Sequence, residues 1–222
     1  MSFYVCGDTH GDIDIHKLTT KAFPDGKNLT KDDYVLVCGD FGCVWDGDSY
    51  DRNNRKFYDK KPWTTLFVDG NHENHVLLNK FPVEKWNGGK IHRISDSIIH
   101  LMRGQVFEID GKKIFTMGGA DSSDKGSRKL GVSWWREELP TRDEISEAIK
   151  NINKHKSKVD YIFTHCASSR VQKHFGETNE LTDFFTGLEN IDFQHWYFGH
   201  YHDDRNFGEK FTCLYQTVVK LW

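Results

Sequence analysis

The sequence has no apolar run close to the roughly 20 residues that a membrane-spanning helix needs. It also lacks the basic start and long apolar segment of a secretory signal peptide. Strand-forming residues begin at Ser2, which leaves no room for a transit segment before them. We therefore expect no membrane span and no leader segment.

Paired cysteines are also missing. The five cysteines, Cys6, Cys38, Cys43, Cys166 and Cys213, are odd in number and form no C-x-x-C pair. This spacing is typical of reduced thiols, so we expect a cytoplasmic protein. Three of them lie near the candidate ligands described below, but we interpret them as small buried packing residues near strand ends.

The sequence also has no large excess of charge of either sign. The 30 basic and 33 acidic residues give a net charge of -3, which does not indicate a general nucleic-acid or membrane-surface binder. A local basic patch is still compatible with this balance. The 222 residues, 37% of them hydrophobic, are enough to bury a substantial core. Because no repeat or linker interrupts them, we predict a single domain over residues 1–222.

The first third of the chain alternates strand and helix patterns. Residues 2–6, 33–38 and 64–68 are short apolar runs of strand-forming types. Between and after them, helices are predicted at residues 13–22, where Asp12 can act as N-cap, near residues 53–60, and at residues 74–80. This alternation predicts parallel βαβ units.

The pattern changes from residue 90 onward. Three runs with little between them predict antiparallel strands, and two later runs and the tail add further strands: residues 98–102, 105–109, 113–117, 160–164, 194–198 and 211–221. Thr141 and Glu144 have the spacing of a capping box and open the clearest predicted helix. A further helix is predicted at residues 179–188, and a long surface loop at residues 122–136.

Metal-ligating residue types follow five of the predicted strands: Asp8 and His10, Asp40, Asn71 and His72, His165, and His200 and His202. For the first pair alone, a capped turn is an equally simple explanation. Five such sites favour a metal centre, because the ends of neighbouring strands gather at one edge of a sheet. The nitrogen and oxygen atoms suit manganese, iron, zinc or cobalt, and they exceed the needs of one ion.

These five blocks, in this order, resemble the calcineurin-like metallophosphoesterase family. The family pattern is Asp-x-His, Gly-Asp, Gly-Asn-His-Asp/Glu, a lone His and Gly-His-x-His, and it spans this chain from Asp8 to His202. The resemblance implies an α/β fold, a four-layer αββα sandwich of two mixed β-sheets flanked by helices. It also implies two divalent or transition metal ions, with manganese favoured and iron, zinc, cobalt and nickel as alternatives.

The resemblance also assigns a ligand set. It implies that Asp40 bridges two ions, with the others divided between them: Asp8, His10 and His202 on the first, and Asn71, His165 and His200 on the second. The implied reaction is hydrolysis of a phosphomonoester or phosphodiester by a hydroxide that the ions share. His72 would protonate the leaving oxygen or stabilise charge beside it. Glu73 either orients His72 or favours a helix N-terminus.

One feature of the family's phosphoprotein phosphatases is absent. Their Gly-Asp-x-Val-Asp-Arg-Gly block is replaced by Gly-Asp-Phe-Gly-Cys-Val at residues 39–44, so the arginine that would bind phosphate is missing. Arg128 and Arg136 flank the long loop and are the preferred substitutes, since a planar guanidinium suits phosphate. The substrate is predicted to be a phosphorylated small molecule, a nucleotide or a phosphoprotein.

Two other functions compete with this interpretation. A nuclease of the same family would need a basic groove, for which Lys125, Arg128 and Lys129 are candidates. A non-catalytic, metal-stabilised interaction module would be expected to have lost a ligand or His72, and neither is lost. The sequence does not indicate an oligomeric state.

Overall fold

The protein is described by a computed structural model that covers residues 1–176 and 178–222. Within these residues the strands are β1 (Phe3–Cys6), β2 (Tyr34–Cys38), β3 (Thr64–Val68), β4 (Val83–Trp86), β5 (Gly89–Ser95), β6 (Ile98–Leu101), β7 (Gln105–Ile109), β8 (Lys112–Met117), β9 (Tyr161–Thr164), β10 (His195–Phe198), β11 (Arg205–Phe207), β12 (Phe211–Cys213) and β13 (Val218–Lys220). The α-helices are α1 (Ser49–Asp59), α2 (His75–Leu78), α3 (Arg142–Lys154), α4 (Ser169–Gln172) and α5 (Glu180–Leu188).

The strands form two mixed sheets. The first has the order β13-β1-β2-β3-β6-β5-β4, and its central strands β1, β2, β3 and β6 are parallel. The second has the order β11-β12-β10-β9-β8-β7, with β12, β10, β9 and β8 parallel. Antiparallel strands complete the edges of both sheets. The last strand, β13, pairs with β1 at the edge of the first sheet, although the strands that precede it in sequence belong to the second sheet.

The core has three apolar clusters that separate four layers. Alternate residues of each strand face opposite ways, so Val5 points between the sheets while Tyr4 points outward. The central cluster joins both sheets, and the outer clusters are covered on one side by α1 and on the other by α3, α4 and α5. Strands buried on both faces explain the continuous apolar runs in the sequence. The predicted four-layer α/β sandwich is therefore confirmed.

Several local predictions hold. Thr141 and Glu144 form the capping box of α3, and Ala148 and Ile152 on its inner face are buried. Asn179 caps α5 through the amides of Leu181 and Thr182. All five cysteines are buried and have free thiols. None of the helices in the described ranges is long and apolar enough to cross a membrane.

Other local predictions are wrong. Residues 13–22 do not form an α-helix: only a 3-10 turn at Ile15–Leu18 is present, and Asp12 does not cap it. The reason is tertiary, because Asp14 and Lys17 turn inward to bind other segments. Strands β4, β5 and β11 were not predicted. The predicted surface loop at residues 122–136 is mostly exposed, but within it Trp135 is buried against Trp45.

Candidate metal centre

The predicted ligands lie at the carboxyl ends of strands from both sheets. Asp8 and His10 follow β1, Asp40 follows β2, and Asn71 follows β3. From the second sheet, His165 follows β9, and His200 and His202 follow β10. Since these strands are parallel within each sheet, their ends meet at one rim, and the sequence-distant side chains come together there.

Two buried carboxylates form the middle of this cluster. Asp40 Oδ2 lies 3.2 Å from His10 Nε2, and Asp40 Oδ1 lies 3.3 Å from His165 Nε2. Asp8 Oδ2 lies 3.2 Å from His202 Nε2, and the main-chain amide of His200 donates to Asp8 Oδ1 at 3.0 Å. Each carboxylate therefore contacts two other residues of the cluster.

The donor set fits divalent cations. Among the described residues, three groups have one donor atom each within 4.8 Å of one another: Asp8 with His10 and His202, Asp40 with His10 and His72, and Asp8 and Asp40 with His165. These groups overlap, because Asp8, Asp40 and His10 each belong to two of them. Imidazole and carboxylate suit manganese, iron, zinc or cobalt.

Asn71 and His200 complete the predicted set. Asn71 Oδ1 lies 3.0 Å from His165 Nε2, so the amide oxygen faces the cluster. The rings of His165 and His200 meet edge to face, with centroids 4.9 Å apart. The structure thus brings all seven predicted ligands to one place.

The backbone at the centre is strained. His10, Asp40, His200 and His202 have φ values of 44°, 46°, 70° and 49°, in the left-handed region that side chains with a Cβ rarely adopt. They are four of the eight non-glycine residues with positive φ within the described ranges. Such strain persists only where the surroundings enforce it, and it clusters at functional sites.

At two positions only glycine fits, because the carboxylate of another residue approaches the backbone closely. A Cβ on Gly70 would lie 2.0 Å from Asp40 Oδ1, and a Cβ on Gly199 would lie 2.1 Å from Asp8 Oδ1. Both distances are far below van der Waals contact. The glycine beside each ligand block therefore leaves room for the carboxylate of another block.

The charged groups of the cluster strongly shift one another's pKa values. Burial opposes ionisation of Asp40, but the charge of His165 and the hydrogen bond from His10 hold the pKa of Asp40 well below its usual value. In the same way, burial disfavours protonated His165, but Asp40 raises the pKa of His165 to about 10. An ion held by His165 Nε2 would take the place of a proton on that nitrogen.

His72 and Arg128 form a pair beside the ligands. Arg128 Nη2 donates to His72 Nε2 at 3.0 Å, while Arg128 Nε is held by Asp124 at 2.8 Å. Burial lowers the pKa of His72, and the Arg128 charge lowers it further, although Asp40 opposes the shift. The imidazole is therefore neutral at neutral pH, with Nε2 as acceptor for the guanidinium.

Glu73 and Arg136 are the remaining residues of the predicted site. The Glu73 carboxylate does not orient His72: its Oε1 accepts from the amides of Phe41 and Gly42, at 2.7 and 3.4 Å. It is fully buried and fixes the loop after Asp40, and burial raises its pKa well above the usual value. Arg136 begins a short 3-10 helix with its side chain exposed, and its predicted phosphate contact stays a prediction.

The orientation of His10 depends on residues that sequence reasoning missed. Asp14 Oδ2 accepts a hydrogen bond from His10 Nδ1 at 2.8 Å, which turns the ring so that Nε2 faces Asp40. Tyr215 donates to the other Asp14 oxygen at 2.9 Å. Lys17, only 2% exposed, donates to the main-chain carbonyls of Gly7, Asp8 and Tyr215 and so joins the end of β1 to the tail.

Asn71 has an equivalent support. Its Nδ2 donates to Ser122 Oγ at 3.0 Å, so the amide oxygen points toward the cluster. The Ser122 amide donates to Glu138, whose pKa is raised to about 7 by burial. The sequence signal for Ser122 was indirect: it follows the glycine-acid turn Gly118-Gly119-Ala120-Asp121 at the end of β8.

We expect Ser122→Ala to weaken binding of the metal ion next to Asn71 by about 10–100-fold, because the Asn71 amide loses the acceptor that fixes its orientation. Calorimetric titration of the metal-free protein with Mn²⁺ measures this change. Ser123→Ala, on the exposed neighbour, is the matched control and should bind as the wild type does. Unchanged affinity in Ser122→Ala would contradict the assigned support.

Comparison with known proteins gives one family. A family model described as calcineurin-like phosphoesterase matches residues 1–204, which is most of the chain and includes every residue of the cluster. No curated protein sequence matches the chain significantly.

Proposed function

The chain belongs to the calcineurin-like phosphoesterase family, and on this premise we propose that it hydrolyses phosphate monoesters or diesters at a centre that binds two divalent metal ions. The observation that carries the proposal is the set of donor groups that share the Asp8 and Asp40 carboxylates. A single ion would not need so many donors, and a structural role alone would not need a neutral histidine and an arginine beside them.

We assign the ligands as follows. Asp8, His10 and His202 would hold one ion, Asn71, His165 and His200 the other, and Asp40 would lie between them. Manganese is the first choice, with iron, zinc, cobalt and nickel as alternatives for this donor set. When bound, such a pair supplies an activated water at neutral pH and offsets the negative charge of the phosphoryl group.

The protein's own residues would position the substrate. Arg128 lies beside the cluster with Nη2 directed at His72, and its guanidinium can instead donate to a phosphoryl oxygen. With Arg128 engaged in this way, neutral His72 can carry its proton on Nε2 and donate a hydrogen bond from it to the leaving oxygen. The lowered pKa of His72 favours this hydrogen-bonding role over that of a permanently charged acid. Asp14 and Ser122 keep two ligands in the required orientation.

The nuclease alternative receives less support. Lys125 Nζ pairs with Asp121 at 2.8 Å, and Arg128 Nε pairs with Asp124 at 2.8 Å. These neighbouring carboxylates offset the positive charge that a nucleic-acid groove would need. A phosphorylated small molecule, nucleotide or phosphoprotein is the favoured substrate class.

The test is hydrolysis of 4-nitrophenyl phosphate and bis(4-nitrophenyl) phosphate by the purified protein with added Mn²⁺. Release of 4-nitrophenol from at least one ester is expected, and it should stop when a chelator removes the metal. Absence of turnover on both esters, while elemental analysis finds bound metal, would overturn the proposal.

His72→Ala should lower kcat by about a hundredfold, because the leaving oxygen loses its hydrogen-bond donor while the metal ligands remain. The measurement combines 4-nitrophenyl phosphate kinetics with metal analysis of the same sample. His16→Ala, a substitution at an exposed histidine, is the control and should leave both quantities unchanged. Wild-type kcat in His72→Ala would refute the assigned role.

A further inference from the structure

A cavity of about 240 Å³ opens beside the metal centre. Its lining is formed by His10, Ile13, Gly42, Trp45, Tyr50 and His72. His10 and His72 belong to the centre itself, with ring centroids 5.5 Å apart, so the cavity is continuous with the site where the ester bond would lie.

The other walls are apolar and open to solvent. The Ile13 side chain is 73% exposed and that of Tyr50 46%, and Trp45 is half-buried between them in the lining. Single exposed apolar residues need no explanation, but three around one concave surface next to reactive groups are typical of a ligand site.

The walls are also held in place before any ligand binds. Trp45 packs edge-on against buried Trp135, with centroids 5.0 Å apart and an interplanar angle of 88°. The Tyr50 hydroxyl donates to Asp12, which fixes the ring and puts a carboxylate at the rim. A rigid apolar wall loses little conformational entropy when a ligand is bound.

The floor of the cavity is main chain. Gly42 has a φ of +72°, and a Cβ at this position would lie 2.3 Å from the Gly11 nitrogen. No other residue type fits there without displacing the segment that follows His10.

We propose that this cavity binds the alcohol portion of the substrate, and that it selects phosphate esters whose alcohol portion carries an uncharged aromatic ring. This inference rests on the proposed phosphoesterase function. His72 lies on the side of the leaving oxygen, and the cavity shares His72 with the centre, so the group beyond that oxygen extends toward Ile13, Trp45 and Tyr50. A cavity of about 150 Å³ with apolar walls holds a benzene molecule, and this larger one suits a substituted ring. The carboxylate of Asp12 at the rim disfavours an acidic substituent.

The experiment compares two esters with similar alkyl leaving groups, 2-phenylethyl phosphate and ethyl phosphate, using the Mn²⁺-loaded full chain. The wild type should favour 2-phenylethyl phosphate by about tenfold in kcat/KM, because only its ring reaches the apolar walls. Ile13→Ser should reduce this preference about threefold, and Trp45→Ala should bring the two esters to near equality. Because Ile13 is so exposed, its substitution leaves the core packing untouched.

A binding readout accompanies the kinetics. Calorimetry with 2-phenylethylphosphonate and ethylphosphonate, which are not hydrolysed, should show the same preference and the same loss in Ile13→Ser. Ile149→Ser, at a 45% exposed position on α3, is the matched control and should keep the wild-type preference.

The outcomes distinguish failure of the cavity assignment from failure of the phosphoesterase function. Hydrolysis of both esters with equal kcat/KM in the wild type, or an unchanged preference in both cavity variants, would overturn the cavity assignment and leave the phosphoesterase function standing. Failure to hydrolyse either ester, 4-nitrophenyl phosphate or bis(4-nitrophenyl) phosphate, with metal bound, would overturn the function itself.

Discussion

Asp40→Asn is expected to lower kcat/KM at least about a thousandfold and to reduce the number of bound metal ions. The side chain lies between His10 and His165, at 3.2 and 3.3 Å, and it is the one carboxylate that we place between both ions. An amide there supplies one neutral oxygen instead of a shared negative charge. A loss of about 4 kcal/mol of transition-state stabilisation corresponds to this factor.

The measurement pairs 4-nitrophenyl phosphate kinetics with metal analysis after desalting. Folding should be preserved, because the Asn oxygen can still accept from the His72 amide, which donates to Asp40 Oδ1 at 2.7 Å. Asp96→Asn removes an exposed carboxylate in the turn between β5 and β6 and serves as the control. If Asp40→Asn kept both ions and worked within tenfold of the wild type, the bridging assignment would be wrong.

Asp69→Asn is expected to destabilise the fold by about 3–5 kcal/mol, because it removes the carboxylate that is hydrogen-bonded to the buried Arg103 guanidinium and leaves only Glu144, at 3.7 Å. Arg103 donates to Asp69 Oδ2 through Nε at 2.8 Å and Nη2 at 2.6 Å, and His100 Nε2 lies 3.1 Å from Asp69 Oδ1. All three side chains are less than 10% exposed. Although burial opposes ionisation, Arg103 and the hydrogen bond from His100 hold the pKa of Asp69 far below its usual value.

Urea unfolding of the metal-free protein at pH 7 measures this loss without a contribution from bound ions. A depressed folded-state pKa means that the Asp69 contribution is present above the ordinary carboxyl pKa of 3.8 and is lost as the pH falls below it. The wild type and Asp69→Asn should therefore converge in stability in strong acid. Asp96→Asn is again the control, and a difference below about 1 kcal/mol at pH 7 would contradict the prediction.

The location of the candidate ligands was predictable because each of them follows within a few residues of a strand in the sequence. A run such as residues 33–38 indicates a buried strand by itself, and the residue after it must lie at the rim of the sheet. No knowledge of the second sheet's position is needed for that step. The supports were not predictable: Ser122 and Asp14 reach Asn71 and His10 only because loops from distant parts of the chain approach the rim.

The errors have the same origin. Residues 13–22 have apolar residues at roughly helical spacing, but Ile13 is exposed while Asp14 and Lys17 are buried. Long-range hydrogen bonds to Tyr215 decide this segment, and no local pattern reports them. Of the two roles considered for Glu73, the orientation of His72 also fails because of long-range contacts. The hydrogen-bond partners of the Glu73 carboxylate are the amides of Phe41 and Gly42, not its sequence neighbour His72.

The pairing of β1 with β13 has a consequence for biosynthesis. The ribosome delivers Asp8, His10, Asp40 and Asn71 long before His200, His202 and the strand that closes the edge of β1. A nascent chain at that stage carries four of the seven candidate ligands while the histidines that follow β9 and β10 are still untranslated. We expect cation loading to be completed only when β10 and β13 have left the exit tunnel.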